Sequence, residues 1–190
     1  MRENINHAAH APGMLEYLEK YDWGGAMKHI DWGSHRRAIE SLSQRQRFSV
    51  SKWIFNWLPT NARLSSLVPQ QHPTPLCPIC ETKQETNDHV YKCGHHTCRA
   101  AQITGLERVR AWAKKKKMHP LTISVFLQHI NAWMRGTSVD MTDRFLEANS
   151  THTKLQQAIQ EQDEIGWGHA LRGRLSKKWG EIQMSTDESE

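Results

Sequence analysis

The residues best placed to do chemistry are Cys77, Cys80, His89 and Cys93, spaced C-x2-C-x8-H-x3-C. Two cysteines three apart can aim both thiolates at one ion from a tight turn. A histidine and a cysteine four apart share one face of a helix. Together they form a Cys3His set of the kind that closes around structural zinc, and soft thiolates with one imidazole favour zinc over magnesium or calcium. A closed site leaves no position for a reacting water, so its expected role is folding. Cys98 stands five residues beyond Cys93 and could replace it in a less compact arrangement. His95 and His96 read as exposed residues of the turn behind the ligand helix, and Asp88 as a group that could orient His89. The bland alternative is four buried free thiols beside an ordinary histidine. All four cysteines fall between 77 and 98. A secreted disulfide scaffold would spread them, and no apolar run follows the N-terminal methionine, so the chain reads as intracellular, nuclear or cytoplasmic, and not secreted.

The elements that must position these residues read as helices. A helix is expected from a cap at Ser34 through Ile39 and Leu42 to about Arg47. It continues over Phe48 to Leu58, where Trp53, Ile54, Trp57 and Leu58 make an apolar stripe read as core. Prolines at 69, 73, 75 and 78 make an extended connector up to the cysteines. Thr97 to Lys117 is helical, with Ile103, Leu106, Val109, Trp112 and Ala113 on one side. Leu121 to Met134 is the most apolar helix, stopped by Gly136. Lys154 to Ile165 follows, then a break at Gly166-Trp167-Gly168. Leu171, Leu175 and Trp179 then share one face. Met14 to Tyr21 could form a short helix. Period-two alternation is scarce, so the fold class is mainly α with a small Cys3His zinc knuckle, and strand is expected only as one short β-hairpin at the knuckle. The organisation reads as a tail and short helix over 1–33, Trp-rich helices and knuckle over 34–98, a helical region over 99–183, and an acidic tail over 184–190.

The chain has 190 residues, a formal charge of +5 and eight tryptophans. Its mean hydropathy is −0.73 and its pI about 9.1. No stretch is apolar enough to span a membrane. Six bases (Arg108, Arg110, Lys114, Lys115, Lys116 and Lys117) against the single acid Glu107 concentrate the whole excess in one segment. Such a segment can neutralise phosphates, or it can be the solvated end of a helix whose dipole favours cations. Arg172 and Arg174, with Lys177 and Lys178 between Trp167 and Trp179, form a second basic-aromatic candidate, although Trp179 at its spacing also reads as core. Glu161, Asp163 and Glu164 read as a solvated face. No nucleophile motif, phosphate-binding glycine loop or polymerase carboxylate pattern is present, so an enzyme is not expected, nor a small-molecule substrate.

The order of motifs resembles the zinc-binding domain associated with reverse transcriptases of non-LTR retroelements. The resemblance is carried by Trp53-Ile54-Phe55-Asn56-Trp57-Leu58-Pro59-Thr60-Asn61 with Leu64, then Cys77-Pro78-Ile79-Cys80 and Glu85-Thr86-x-x-His89-x-x-x-Cys93, over residues 44–98. The segment Ile165-Gly166-Trp167 to Trp179 resembles a subgroup of such elements in diatom-like genomes. What the resemblance implies is association with nucleic acid, RNA more than DNA, in a region C-terminal to a polymerase that this chain lacks. A zinc-stabilised protein-interaction module and a decayed fragment without a selected role are the competing readings.

Overall fold

The computed structural model describes residues 25–139 and 150–187; the short helix expected over 14–21 lies outside them. Within them the chain is helical: α1 Trp32–Glu40, α2 Gln44–Ile54, α3 Asn61–Leu67, α4 Asn87–Lys92, α5 His96–Lys115, α6 Pro120–Arg135, α7 Ser150–Ile165, α8 Trp167–Ala170 and α9 Lys177–Asp187. The mainly α fold with a Cys3His cluster is as expected from sequence. The hairpin reduces to a single antiparallel bridge between Leu76 and Gln84, and no strand forms among the described residues.

The helix expected from 34 to 58 is two helices. Asp31, not Ser34, caps α1: its Oδ1 accepts the Ser34 amide at 2.8 Å and its Oδ2 the Ser34 hydroxyl at 2.6 Å. The break falls at Ser41–Ser43 because Ser43 opens a new helix. Gln46 Oε1 accepts the Ser43 amide at 2.9 Å, and the Gln46 amide donates back to Ser43 Oγ. This reciprocal capping box satisfies two amide donors that a continuous helix would not offer.

The core lies between the later helices. Val125, Ile130 and Met134 of α6 meet Leu155, Ala158 and Ile159 of α7, Trp167 and Ala170 of α8, and Trp179 and Ile182 of α9. Its aromatic centre is Trp167, stacked on His129 at 4.7 Å and meeting Phe126 and Trp179 at 5.7 and 6.2 Å. Such packing combines large apolar burial with favourable ring geometry. Gly166, at φ 92, makes the sharp entry that swings Trp167 inward. Gln162 is fully buried and satisfied: its Oε1 accepts the Ser176 amide and Trp179 Nε1, and its Nε2 donates to the Arg174 carbonyl.

Three expectations change here. Leu171, Leu175 and Trp179 do not lie on one helix, because a turn with Gly173 at φ 76 separates α8 from α9. Residues 26–32, expected in the N-terminal tail, dock on this core: Ile30 is buried against Ile165 and bridges Ser176, and His29 pairs with Glu161 and Glu164. Of the acids read as a solvated face, Asp163 and Glu164 are exposed as expected and Glu161 is half-buried; Asp163 Oδ1 also accepts Trp167 Nε1 at 2.6 Å. The helix α9 also runs on to Asp187, inside the segment expected as an acidic tail.

Candidate metal centre

The knuckle begins with a reversal. The Cys77 amide donates to the Lys83 carbonyl at 2.8 Å and the Glu85 amide to the Pro75 carbonyl at 2.9 Å. Glu81, in the left-handed region at φ 56, donates its amide to the Cys77 carbonyl, closing the turn that faces Cys77 and Cys80 the same way. The second pair comes from α4. Thr86 caps that helix, its Oγ1 accepting the His89 amide at 3.1 Å, which fixes where His89 projects. Cys93 ends the helix one turn later.

These elements bring one donor atom from each of Cys77, Cys80, His89 and Cys93 within 4.8 Å of one another. His89 Nε2 lies 3.3 Å from Cys80 Sγ. Ligands about 2.0–2.3 Å from a tetrahedral ion are separated by about 3.5–3.8 Å, so donor separations need change by only about 1 Å to enclose zinc. Cys77, Cys93 and His89 are buried. The Thr82 hydroxyl and amide, then the Lys83 amide and His89, hold the Cys80 thiol down to about 5. Burial pushes the Cys77 and Cys93 thiols up. One ligand is thus already a thiolate at neutral pH, and the other two give up protons when metal binds.

The geometry separates Cys93 from its alternative. Cys98, in the first turn of α5, lies beside Cys93 and outside the four-donor cluster. His95 is the N-cap of α5 rather than a free turn residue, and His96 is exposed. Asp88 does not orient His89; it pairs with Arg172 Nη2 at 2.9 Å.

The cluster is tied into the fold on several sides. Gln102 of α5 donates to the carbonyls of Tyr91 and Cys93 at 2.7 and 3.2 Å. Tyr91 stands between Trp53 and Trp133, with centroids at 6.0 and 6.5 Å. Asn87 Nδ2 donates to Asn56 Oδ1 at 3.1 Å. Glu85 Oε2 accepts the Asn61 amide at 2.6 Å, so an acid of the knuckle caps α3. No sequence signal short of the tertiary fold marks that last interaction.

The basic residues divide. Arg108, Arg110, Lys114, Lys115, Lys116 and Lys117 are all exposed along α5 and the turn that ends it. Arg172 and Arg174 are not a surface patch: they are 6% and 3% exposed. Arg172 serves Asp88, and Arg174 reaches His169 Nδ1 and the Ile54 carbonyl. Lys177 donates to the Lys28 carbonyl and Lys178 pairs with Glu181. The arginines of the second basic-aromatic candidate are therefore interior, with Trp167 and Trp179 in the core, while Lys177 is exposed and Lys178 half-buried. Conversely, Trp57 is 57% exposed instead of core, because α2 ends at Ile54 and Asn56 at φ 58 turns the chain outward. Ile103, Val109 and Trp112 of α5 are likewise exposed, leaving Leu106 and Ala113 to face inward.

No helix among the described residues is long and apolar enough to cross a membrane. No family model, curated protein or solved structure matches the chain.

Proposed function

We propose that this chain is a zinc-stabilised, non-catalytic module that contacts nucleic acid, RNA in preference to DNA, inside the cell. The observation that carries the reading is the exposed run of Arg108, Arg110 and Lys114–Lys117 on α5, the helix joined to the knuckle through Gln102. Zinc fixes the end of α4, the Gln102 bonds to the Tyr91 and Cys93 carbonyls hold α5 against it, and α5 presents its cations to phosphates. The preference for RNA rests on the resemblance to the zinc-binding domain behind retroelement reverse transcriptases.

The test is binding of a labelled single-stranded RNA across a salt series, with DNA of the same sequence alongside. Affinity falls with salt, and replacing Lys114–Lys117 by alanine lowers the slope of log K against log salt by about 0.7 for each phosphate no longer neutralised. A protein-interaction module is the second reading, favoured by the exposed Ile103, Val109 and Trp112 on the same helix. Absence of salt-dependent RNA binding in zinc-loaded protein would overturn the first reading in favour of the second.

A further inference from the structure

The aromatic residues around α2 form a surface that the basic helix α5 does not account for. Arg45, Phe48, Lys52 and Phe55 recur at i, i+3, i+7 and i+10, which places them on one stripe of the helix and its end. Phe48 is 65% exposed, with Lys52 Nζ 4.4 Å from its ring centroid. Beyond the helix, Phe55 meets Trp57 at 5.6 Å. Solvent-facing Phe48 and Trp57 thus stand at the two ends of a row of rings with a lysine between them. Large apolar side chains gain by burial, yet the fold leaves both of these rings in solvent.

The charge around this row is of one sign. From Ser41 to Cys80 there is no aspartate or glutamate, against Arg45, Arg47, Lys52 and Arg63. Three acids of the flanking segments pair elsewhere. Glu40 pairs with Arg36, Glu85 caps α3, and Asp88 pairs with Arg172. A polyanion whose units carry flat apolar faces complements such a surface: rings take the unpaired bases and cations take the backbone. A duplex does not, since its bases are already stacked.

We infer that the Phe48–Lys52–Phe55–Trp57 face is a stacking platform for unpaired bases of a single-stranded nucleic acid, held in place by the zinc knuckle through the Asn87–Asn56 hydrogen bond. The inference rests on the nucleic-acid reading above and assigns it a second surface. The division of labour is that α5 supplies salt-dependent affinity and the α2 face supplies the preference for unpaired strands.

The experiment uses the full zinc-loaded chain and a labelled twelve-nucleotide single-stranded RNA, its duplex, and the same strand with abasic positions. Phe48→Ala and Trp57→Ala are surface changes, so both variants are expected to fold and keep their zinc, checked by circular dichroism and metal content. Each should weaken single-strand binding by about ten-fold or more, from the loss of one stacked base, with the salt slope unchanged. Trp57→Tyr should restore most of the loss, and the abasic strand should bind wild type as weakly as the intact strand binds Trp57→Ala. Unchanged affinity in both alanine variants, while Lys114–Lys117→Ala still lowers the salt slope, would overturn the platform and leave the nucleic-acid reading standing. Equal binding of duplex and single strand would also overturn it. No RNA binding by wild type would remove both readings together.

Discussion

Replacing Asp88 is expected to cost more stability than replacing Arg172, although the arginine is the larger and more buried partner. The Arg172 side chain is 7% exposed and Asp88 56% exposed. In Asp88→Ala a guanidinium stays inside without its counter-charge. Stranding a fully buried charge costs about 3–5 kcal/mol. Here water can reach the vacated carboxylate position, which lowers the figure to about 2–3 kcal/mol, including the loss of an acid from the first turn of α4. In Arg172→Met the apolar stem is kept, the buried charge is gone, and the carboxylate turns to water. The missing charge-assisted bond is largely offset by the cation's desolvation, for a net cost of about 1 kcal/mol or less. The double variant should resemble Arg172→Met alone. Urea unfolding in zinc-replete buffer measures all three, and the thermal midpoint of Asp88→Ala should fall by about 5–10 °C at this chain length. Arg172→Met should also leave RNA affinity unaltered. An arginine variant less stable than the aspartate variant, or one that loses RNA binding while folded, would refute the assignment of Arg172 as a buried clamp between α4 and the segment after α8.

Further outcomes follow from other parts of the fold. Burial first, and then the Arg174 and Arg172 charges, hold His169 down to about 3. The unfolded chain therefore binds more protons between about pH 3 and the ordinary histidine value near 6.5. The stability this neutral imidazole provides is complete above about 6.5 and is lost as pH falls toward 3. His169→Gln should flatten that part of the stability–pH curve, measured by chemical unfolding at pH 7.5, 6.5 and 5.5; an unchanged curve would contradict the burial argument. A Cβ on Gly168 would meet Trp133 Cζ2 at 2.7 Å, and that ring is flanked by Tyr91 and Lys92. Gly168→Ala should cost about 1–2 kcal/mol, overpacking outweighing the helix propensity gained. Gly105, with nothing within 4 Å of such a Cβ in α5, should gain about 0.5–1 kcal/mol on the same change. Thermal melts of the two variants should move in opposite directions.

What is legible in the sequence is whatever is local. The thiol and imidazole spacing of the knuckle is a property of one turn and one short helix, and the structure assembles those four residues. The long apolar α6 and its stop at Gly136, left-handed at φ 70, are equally local. The features that escape a sequence reading depend on partners far along the chain. Helix α3 is one, because its first amide is satisfied by Glu85, twenty-four positions later. Arg172 and Arg174 read as surface cations because their partners, Asp88 and Ile54, belong to other elements. Helical periodicity carries the tryptophan stripe as far as Trp57, and it fails at Asn56, where the backbone turns left-handed. On α5 the apolar side chains are too widely distributed round the helix for one neighbouring surface to cover, so Ile103, Val109 and Trp112 stay outside.

The central claim is that Cys77, Cys80, His89 and Cys93 hold one zinc ion that organises the knuckle. The most direct test is the metal content of protein purified without added zinc, compared among wild type, Cys77→Ser, Cys93→Ser and Cys98→Ser. One zinc per chain is expected in wild type and in Cys98→Ser, with loss from the other two. Folded wild-type protein without zinc, or zinc kept in Cys93→Ser and lost in Cys98→Ser, would contradict the account.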